Sequence, residues 1–395
     1  MGGGDAGAGN AGSGMGGGGS AGRGGGGRGG AMNLGGQGGA GAGGASAGKG
    51  GGGAGATGMC TDPVASQAMR PQLSSSDAAK YTIATYLAGS GAFDSLAVDN
   101  WDPTAGLGDA SAFTADYTVA ADGSGTHTTL QAALMAISGS TRRYVRMMPG
   151  TYRGQVSYSG STPVTLYATS TDATDVVIVN NKSQQDGTSE TLGVKSNGFQ
   201  IMNLTLSNDF PTPASGSNLQ ALALKTTGDK IVLENVRLHG FQDTIQMAAQ
   251  NATTRSRVYV KDSYIEGDTD FIYGNATVVL DNVTVHYLTS RRGSSSGVIM
   301  APSTSVGNEL GFLFIHSNFT AEDGTPSNKI FLGRSWDTSS TTPTPNGQGV
   351  IRESVLGAHI DRDSPWTAAA TSGRAYSADG NRFYEYCNSG PGAGP

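Results

Sequence analysis

Two stretches of equal length decide the fold: IVLENVRLHGFQDTI at residues 231–245 and VYVKDSYIEGDTDFI at residues 258–272. Each opens with an apolar triplet and continues with polar residues and two apolar residues that alternate with polar ones. Gly, Asp and Ile then follow at matching positions. Short alternating runs that contain β-branched and aromatic residues, bounded by Gly, Asn and Asp, are typical of β-strands. The two stretches therefore predict neighbouring copies of one structural repeat.

Similar runs occur elsewhere in the chain, and their spacing indicates how the copies are joined. The runs begin near residues 201, 231, 258, 278, 312 and 350, at separations of 30, 27, 20, 34 and 38 residues. A sandwich or an up-and-down barrel would instead show strands about every 8–12 residues. Longer repeats with variable insertions favour a solenoid. The expected fold is all-β, a right-handed single-stranded parallel β-helix.

One segment near the start of the repeats has helical rather than strand periodicity. Residues 129–137 (TLQAALMAI) place apolar residues at helical spacing. The terminal coil of a solenoid needs a cover. We therefore expect a short N-terminal capping helix here.

Composition divides the chain into three parts. Thirty-two of the 64 glycines lie in the first sixty residues. A stretch such as residues 24–30 cannot bury enough apolar surface to offset the entropy of ordering it. We expect residues 1–58 to be a disordered glycine-rich tether, 59–116 an N-terminal extension packed on the domain, and 117–395 the β-helix.

Charge and cysteine content narrow the range of partners. The chain has 25 Lys and Arg against 31 Asp and Glu, a net charge of −6, and no long basic run, so no nucleic-acid partner is expected. No stretch approaches about eighteen consecutive apolar residues, so no transmembrane segment is expected either. We expect a monomer. Cys60 and Cys387 are the only cysteines, and a disulfide and two unpaired thiols both remain open.

The two defining stretches place Asp243 and Asp270 at equivalent positions of successive repeats. Neighbouring strands lie about 4.8 Å apart, so the repeat predicts two carboxyl groups side by side. Carboxyl groups this close do not ionise independently, and one pKa should rise while the other stays low. Such a pair supplies a protonated acid beside an ionised base or nucleophile. The alternative is a pair of turn aspartates that cap backbone amides.

The segments around this pair resemble motifs of the pectin methylesterases, the pectinesterase family. GFQDT at residues 240–244 is similar to the family's G-x-Q-D-T segment, and GDTDFIYG at 267–274 to G-x-x-D-F-I-F-G, with Tyr273 in place of one Phe. QALAL at 220–224 resembles Q-A-x-A-L, and LGRSW at 332–336 resembles L-G-R-x-W. The resemblance runs in order from about residue 117 to residue 393.

Carried over position by position, the resemblance implies five catalytic residues. Asp270 would be the nucleophile, and Asp243 would act first as the acid and then as the base. Gln220 and Gln242 would donate hydrogen bonds to the oxyanion, and Arg334 would orient Asp270.

The resemblance also suggests residues that contact the sugar. Phe271 and Trp336 would flank the carboxylates as substrate-binding aromatics, although Trp336 could instead pack under a loop. Trp366 could line the groove or serve as a buried anchor. Arg291 and Arg292 could meet unesterified carboxylates or simply lie on a solvated loop.

No cofactor and no metal are expected. The five histidines are too scattered to form a ligand set. Asp268 and Asp270 could suggest calcium, but the chain shows no separate acidic cluster. The implied function is hydrolysis of the methyl esters of homogalacturonan (pectin) to pectate and methanol. Two alternatives remain: an esterase or thioesterase on another small ester, and a non-catalytic carbohydrate-binding β-helix.

Within the family, the chain most resembles bacterial outer-membrane lipoprotein pectinesterases. This resemblance implies a secreted or outer-membrane-anchored protein. The chain opens MGGGDAG, with neither a basic stretch nor an apolar core of a signal peptide. We expect the native signal sequence to lie upstream.

Overall fold

Three parallel sheets build the domain. The computed structural model describes residues 65–210, 220–290, 296–338, 341 and 343–394. Within these ranges the chain passes from sheet I to sheet II to sheet III and then returns to sheet I one strand further along. All pairings inside these three sheets are parallel. This repeated path is that of a parallel β-helix.

The described strands of sheet I are β3 (Tyr117–Val119), β4 (Arg143–Met147), β7 (Val164–Tyr167), β10 (Gln200–Met202), β13 (Ile231–Glu234), β17 (Arg257–Lys261), β20 (Thr277–Asp281), β23 (Phe312–Ile315), β26 (Gln348–Arg352) and β28 (Arg382–Tyr386). Those of sheet II are β5 (Gly150–Arg153), β8 (Val176–Asn180), β11 (Thr205–Asn208), β14 (Arg237–His239), β18 (Tyr264–Gly267), β21 (Thr284–Tyr287), β24 (Asn318–Ala321) and β27 (Val355–Leu356). Those of sheet III are β6 (Val156–Tyr158), β9 (Leu192–Val194), β12 (Leu224–Thr226), β15 (Ile245–Met247), β19 (Thr269–Gly274), β22 (Val298–Pro302) and β25 (Phe331–Gly333).

A small antiparallel sheet and a few short helices complete the described elements. The sheet contains β1 (Gly89–Ala92), β2 (Ala97–Val98) and β16 (Thr254–Arg255). The α-helices are α1 (Ser75–Ala78), α2 (Ile83–Leu87) and α3 (Leu130–Met135), and the 3₁₀ turns are Ala110–Ala112 and Gln184–Asp186. No helix in the described part of the chain is long and apolar enough to cross a membrane.

The interior of the coil is a continuous column of apolar side chains. Ile231, Val258, Val278 and Phe312 pair in register along sheet I, and all four are fully buried. They belong to one cluster of buried residues that extends from Val119 to Phe383. Burying these repeated runs against one another is the main source of stability expected for a solenoid.

The polar residue within each run marks a corner between sheets I and II. These residues have positive φ angles, namely Asn203 (60°), Asn235 (51°), Asp262 (49°), Asn282 (55°), His316 (53°), Glu353 (50°) and Cys387 (54°). Asn and Asp tolerate this left-handed conformation better than most residues. Neighbouring corner side chains also bond to each other, as Asn235 Nδ2 does to Asn203 Oδ1 at 2.8 Å. The corners therefore fix where each coil turns.

Helix α3 covers the N-terminal end of the coil, as its periodicity predicts. The Thr129 side chain caps it by accepting a hydrogen bond from the Ala132 amide at 3.2 Å. Leu130 and Leu134 are buried in the main core, and the helix contacts β3, β4 and β6.

Residues 65–116 pack on the outer face of sheet I. Leu73, Tyr86 and Leu87 form a second apolar cluster with sheet residues that include Tyr259 and Val279. The buried Arg257 of β17 anchors this layer, since its guanidinium bonds both Asp99 oxygens at 2.8 Å. It also lies 4.9 Å from the centre of the Trp101 ring.

The expected all-β, right-handed parallel β-helix with a short N-terminal cap is confirmed, and right-handed winding is the sense that parallel crossovers adopt. The strand register differs from the one obtained by aligning the first residues of the runs. For the first and last runs, Ile201 pairs with Leu233 rather than residue 231, and Val350 pairs with Leu313 rather than residue 312. The expected tether, residues 1–58, lies outside the described residues, as does Cys60. Cys387 is disulfide-bonded.

Candidate active site

Two successive coils of sheet III bring Asp243 and Asp270 together. Ile245 of β15 pairs with Ile272 of β19, and Gln242 bridges to Thr269 just before these strands. This register places Asp243 beside Asp270. The Asp243 amide also donates a hydrogen bond to the Thr269 carbonyl at 3.2 Å. The equivalence of the two aspartates, which the repeat predicts, is confirmed.

Both aspartates have unusual backbone conformations. The φ angles are 65° at Asp243 and 47° at Asp270, in the left-handed region that non-glycine residues seldom occupy. In addition, β19 bulges against β22, since Thr269 faces Val298 but Ile272 faces Met300. Strained conformations and bulges are frequent next to functional sites, where they redirect a side chain. Here the positive φ angles and the bulge set the direction of both side chains at the corner where the chain enters sheet III.

A glycine precedes each aspartate because a later side chain packs over it. A Cβ atom on Gly240 would lie 2.7 Å from Thr244 Oγ1. On Gly267 it would lie 2.2 Å from the Phe271 Cβ atom and 2.5 Å from the Phe241 carbonyl oxygen. Real Cβ atoms do not approach other atoms so closely. The Gly-to-Asp spacing of the two motifs thus reflects one tight corner built twice.

Arg334 holds the Asp270 carboxylate with two hydrogen bonds. Arg334 Nε donates to Asp270 Oδ1 at 2.9 Å, and the terminal nitrogen Nη2 donates to Oδ2 at 2.5 Å. The Asp270 side chain is 13% exposed and that of Arg334 is 26% exposed. Such a two-pronged contact is charge-assisted and fixes the plane of the carboxylate. Arg334 therefore fixes the orientation of the Asp270 carboxylate.

The environment of Asp243 favours its protonated form. Burial and the neighbouring charge of Asp270 raise the pKa of Asp243 well above its ordinary value. A hydrogen bond from Tyr273 and the Arg334 charge lower that pKa, while Asp268 raises it further. The site thus contains one carboxyl group with a raised pKa next to another that is paired with a guanidinium. This is the division that acid-assisted hydrolysis requires.

The two glutamines lie on the coils that approach the aspartates. Gln242 precedes Asp243 directly and is 7% exposed. The Ala221 amide donates to the Gln242 carbonyl at 3.2 Å, which places Gln220 on the adjacent coil. The backbone carbonyl of Gln220 accepts a hydrogen bond from the Gln184 amide at 2.8 Å. Gln242 therefore lies on the coil of Asp243, and Gln220 lies on the coil before it.

The expectation that Phe271 contacts substrate is wrong. Its side chain is fully buried and belongs to the main core. The corner at Asp270 turns residue 271 inward over Gly267, just as the buried Thr244 lies over Gly240. A residue in this position stabilises the corner and cannot reach a bound sugar.

The aromatic residue that does face the site is Tyr273, which the sequence interpretation did not single out. It lowers the pKa of Asp243 and packs edge-on against Trp336, with ring centres 5.6 Å apart. Leu222 and Ala301 join them in a small cluster outside the main core. The sequence signal for Tyr273 was its spacing, since it follows Asp270 by three residues as Gln246 follows Asp243, and the two residues pair in the structure.

A recess of about 260 Å³ lies on the outer face of sheet III, and neither Asp243 nor Asp270 is among its lining residues. Its lining includes Gln246, Asn275, Ser303 and Trp336. Trp336 is half-buried, so it both packs against Tyr273 and presents a face to the recess. The side chains that line the recess are uncharged polar, small or aromatic groups, a composition suited to hydroxyl-rich ligands.

The remaining candidate residues lie elsewhere. Trp366 is a buried anchor, 1% exposed and stacked on Phe383 at 4.9 Å between ring centres. Arg291 and Arg292 lie outside the described residues. In the described ranges, no group of three or more His, Cys, Asp or Glu side chains is placed to hold a metal ion.

The fold and the site together define a class, that of parallel β-helix carboxylic ester hydrolases. Residues 116–395 match the family model described as Pectinesterase. The chain therefore belongs to the pectinesterase family.

Individual relatives extend this match over most of the chain. A pectinesterase of Ralstonia solanacearum is 41% identical, over 83% of this chain and 93% of the relative. Among solved structures, Escherichia coli ybhc superposes with a TM-score of 0.73 at 28% identity, over 82% of this chain and 96% of the other. Rice weevil pectin methyl esterase superposes with a TM-score of 0.70 at 29% identity, over 84% and 100%.

Proposed function

We propose that this protein is a pectin methylesterase, which hydrolyses the methyl esters of homogalacturonan to pectate and methanol. The observation that carries the proposal is the carboxyl pair, in which burial and the charge of Asp270 raise the pKa of Asp243 and Arg334 holds Asp270. Membership of the pectinesterase family supports the substrate class. The uncharged polar recess that Gln246 and Trp336 line suits a methylated sugar chain.

In the proposed first half-reaction, an Asp270 oxygen attacks the carbonyl carbon of the methyl ester. The carbonyl oxygen becomes an oxyanion, which accepts hydrogen bonds from the side-chain amides of Gln220 and Gln242. As the tetrahedral intermediate collapses, the bond from carbon to the methoxy oxygen breaks. Asp243 gives its proton to that oxygen, and methanol leaves. The product is an anhydride between Asp270 and the galacturonyl group.

In the second half-reaction, Asp243 is a carboxylate and acts as the base. It removes a proton from water, and the resulting oxygen attacks the galacturonyl carbonyl carbon. The bond to Asp270 breaks and the galacturonic acid group is released, which then loses its remaining proton to the solvent. Asp243 thereby regains its proton and Asp270 its charge, so the cycle needs no cofactor.

Trp336 is proposed to contact a sugar ring through the face it presents to the recess. Tyr273 supports it from the other side at 5.6 Å between ring centres. Aromatic side chains supply large contact area at low cost in conformational entropy.

We propose that the protein acts outside the cell, secreted or anchored to an outer membrane as a lipoprotein. Its polymeric substrate cannot cross a membrane, and the disulfide at Cys387 fits an oxidising compartment. Residues 1–58 would serve as a tether to the β-helix of residues 117–395, with residues 59–116 packed on it and the whole acting as a monomer.

The activity is tested by methanol release from highly methylated pectin, with fully de-esterified pectate as the blank and an acyl-CoA thioester as a rival substrate. We expect methanol from the methylated polymer alone. Turnover of the thioester without methanol release would contradict the proposal and favour hydrolysis of another ester. Tight pectin binding without turnover of either substrate would favour a binding protein.

A further inference from the structure

The outer face of sheet III carries a positive charge one coil before Asp243. Among the described strands of sheet III, β12 alone contains a lysine, Lys225. Its neighbours Leu224 and Thr226 are buried and Lys225 is only half-buried. Because side chains alternate between the two faces of a strand, Lys225 points away from the core.

A second lysine lies on the preceding coil, where Lys195 follows β9 directly and is exposed. Within the described ranges, the lysines that form ion pairs are Lys80, Lys182, Lys230 and Lys261. Lys195 and Lys225 are not among them, so no carboxylate of the described chain neutralises either. One acidic group shares this end of the face, because Glu190 Oε1 would lie 3.1 Å from a Cβ atom on Gly193, the residue that pairs with Lys225. Two lysines therefore face one glutamate, and this end is positive.

The recess extends along the same face from this positive end. Its lining residues come from four successive coils, in the order Gln246, Asn275, Ser303 and Trp336. Lys225 pairs with Gln246, the first of them. The residues that line the recess carry no charged side chain. A polysaccharide that lies along the coil axis thus meets a cationic end and then an uncharged one.

We propose that Lys225 and Lys195 bind the carboxylates of galacturonates that have already lost their methyl groups, whereas the recess accepts methylated residues. This inference rests on the proposed function, because it takes the substrate to be partly methylated homogalacturonan. Strand pairing places Lys225 one coil before Asp243 and two coils before Asp270, about 4.8 and 9.6 Å along the axis. A carboxylate bound at Lys225 therefore lies close to the ester under attack. The enzyme thus extends stretches that are already de-esterified.

The test measures binding of unesterified hexagalacturonate to the full-length protein by calorimetry at low salt. Lys225→Met keeps the apolar stem and removes the charge. We expect this variant to bind about 2–5-fold more weakly than the wild type, the range of an exposed charge pair, and added salt to reduce the difference. Glu190→Gln removes the opposing charge and should bind more tightly than the wild type. In turnover, Lys225→Met should lower kcat/KM on partly methylated pectin by a similar factor and leave it unchanged on fully methylated pectin.

The control is Lys80→Met, which removes the same charge from an exposed lysine of the N-terminal extension. It should bind hexagalacturonate as the wild type does. An unchanged affinity in folded Lys225→Met, or an equal loss in Lys80→Met, would overturn the inference, as would a wild type that does not bind hexagalacturonate. Calorimetry does not depend on turnover, so a wild type that binds through Lys225 but releases no methanol would count against the proposed function alone.

Discussion

At the scale of single residues, the raised pKa of Asp243 has opposite consequences for activity and for stability. Between the ordinary aspartate pKa and the raised one, the folded protein binds a proton that the unfolded chain releases. The free energy of unfolding therefore falls as the pH rises through this window. At higher pH, Asp243 is a buried carboxylate beside the charge of Asp270. A residue that the proposed reaction needs thus lowers the stability of the fold in this pH range.

Asp243→Asn removes that destabilising charge together with the proton that the proposed reaction gives to methanol. We expect this variant to release almost no methanol, yet to unfold at a higher temperature than the wild type at neutral and alkaline pH. The difference should disappear below about pH 4, where the aspartate is protonated in both states. Thermal unfolding followed by circular dichroism across the pH range measures it.

Asp337→Asn serves as a control of opposite sign. Burial raises the pKa of Asp337, but hydrogen bonds from Arg374, Ser335 and Ser372 lower it, and the resulting pKa lies below the ordinary value. Its charge therefore stabilises the fold above the ordinary aspartate pKa, and that stability is lost as the pH falls through the lowered one. Asp337→Asn should unfold more easily than the wild type at neutral pH. A loss of stability in both variants would contradict the electrostatic account of Asp243.

How far the site follows from the sequence is clearest at Phe271 and Tyr273. The repeat alone placed Asp243 beside Asp270, because strand pairing is set by the apolar pattern. The inward turn of Phe271 could not be read in the same way, since it depends on the left-handed φ of Asp270 and on the bulge against β22. A bulge shifts which residues face outward, and this shift brings Tyr273 rather than Phe271 to the site.

At the scale of elements, the corner between β18 and β19 depends on Gly267. Gly267→Ala would place a Cβ atom 2.2 Å from that of Phe271 and 2.5 Å from the Phe241 carbonyl oxygen. This clash can be relieved only if Phe271 moves, and Phe271 follows Asp270 directly in the chain. We expect a loss of about 1–3 kcal/mol in the free energy of unfolding. A displacement of about 1 Å at Asp270 would lower kcat by about 10²-fold.

Denaturant unfolding and methanol release measure the two effects. Gly89→Ala is the matched control, because its Cβ atom would lie 3.1 Å from the nearest atom, in a strand outside the three sheets of the coil. This variant should keep the wild-type kcat. Unimpaired activity in Gly267→Ala would show that the corner does not position Asp270.

The corner residues also show which details of the strand register the sequence repeats do not predict. The polar residue in each run indicated a turn, but the residues found there include Asn, Asp, His, Glu and Cys. Asn and Asp are expected in the left-handed conformation, whereas His316, Glu353 and Cys387 adopt it because the stacked coils require it. This variety explains why the run at residue 350 aligned one position away from its structural partner.

At the scale of the whole molecule, the N-terminal extension is joined to the far end of the coil by a buried ion pair. Arg70 Nη2 lies 2.8 Å from Glu385 Oε2, and both side chains are 1% exposed. Arg70 also donates to the Gly392 carbonyl at 2.9 Å. Composition predicted an extension that packs on the domain, but contacts between residues more than three hundred positions apart leave no local pattern in a sequence.

Arg70→Ala leaves the Glu385 carboxyl buried without its partner. Breaking a buried pair in this way costs about 3–5 kcal/mol, so the free energy of unfolding should fall by about that amount. The specific activity of the folded fraction should stay near that of the wild type, since sheet III is untouched. Lys80→Ala breaks only the exposed pair with Asp77 and should change little. Equal stability of both variants would show that the extension does not help hold the fold together.

The central claim is that Asp270 is the nucleophile. The most direct measurement is methanol release from highly methylated pectin by the wild type and by Asp270→Asn, with a chelator present. The matched control is Asp262→Asn, because Asp262 has a similar φ of 49° at an exposed corner of the coil. We predict that the wild type and Asp262→Asn are equally active and that Asp270→Asn is slower by about 10⁴-fold or more. Methanol release by folded Asp270→Asn at a rate near that of the wild type would contradict the claim.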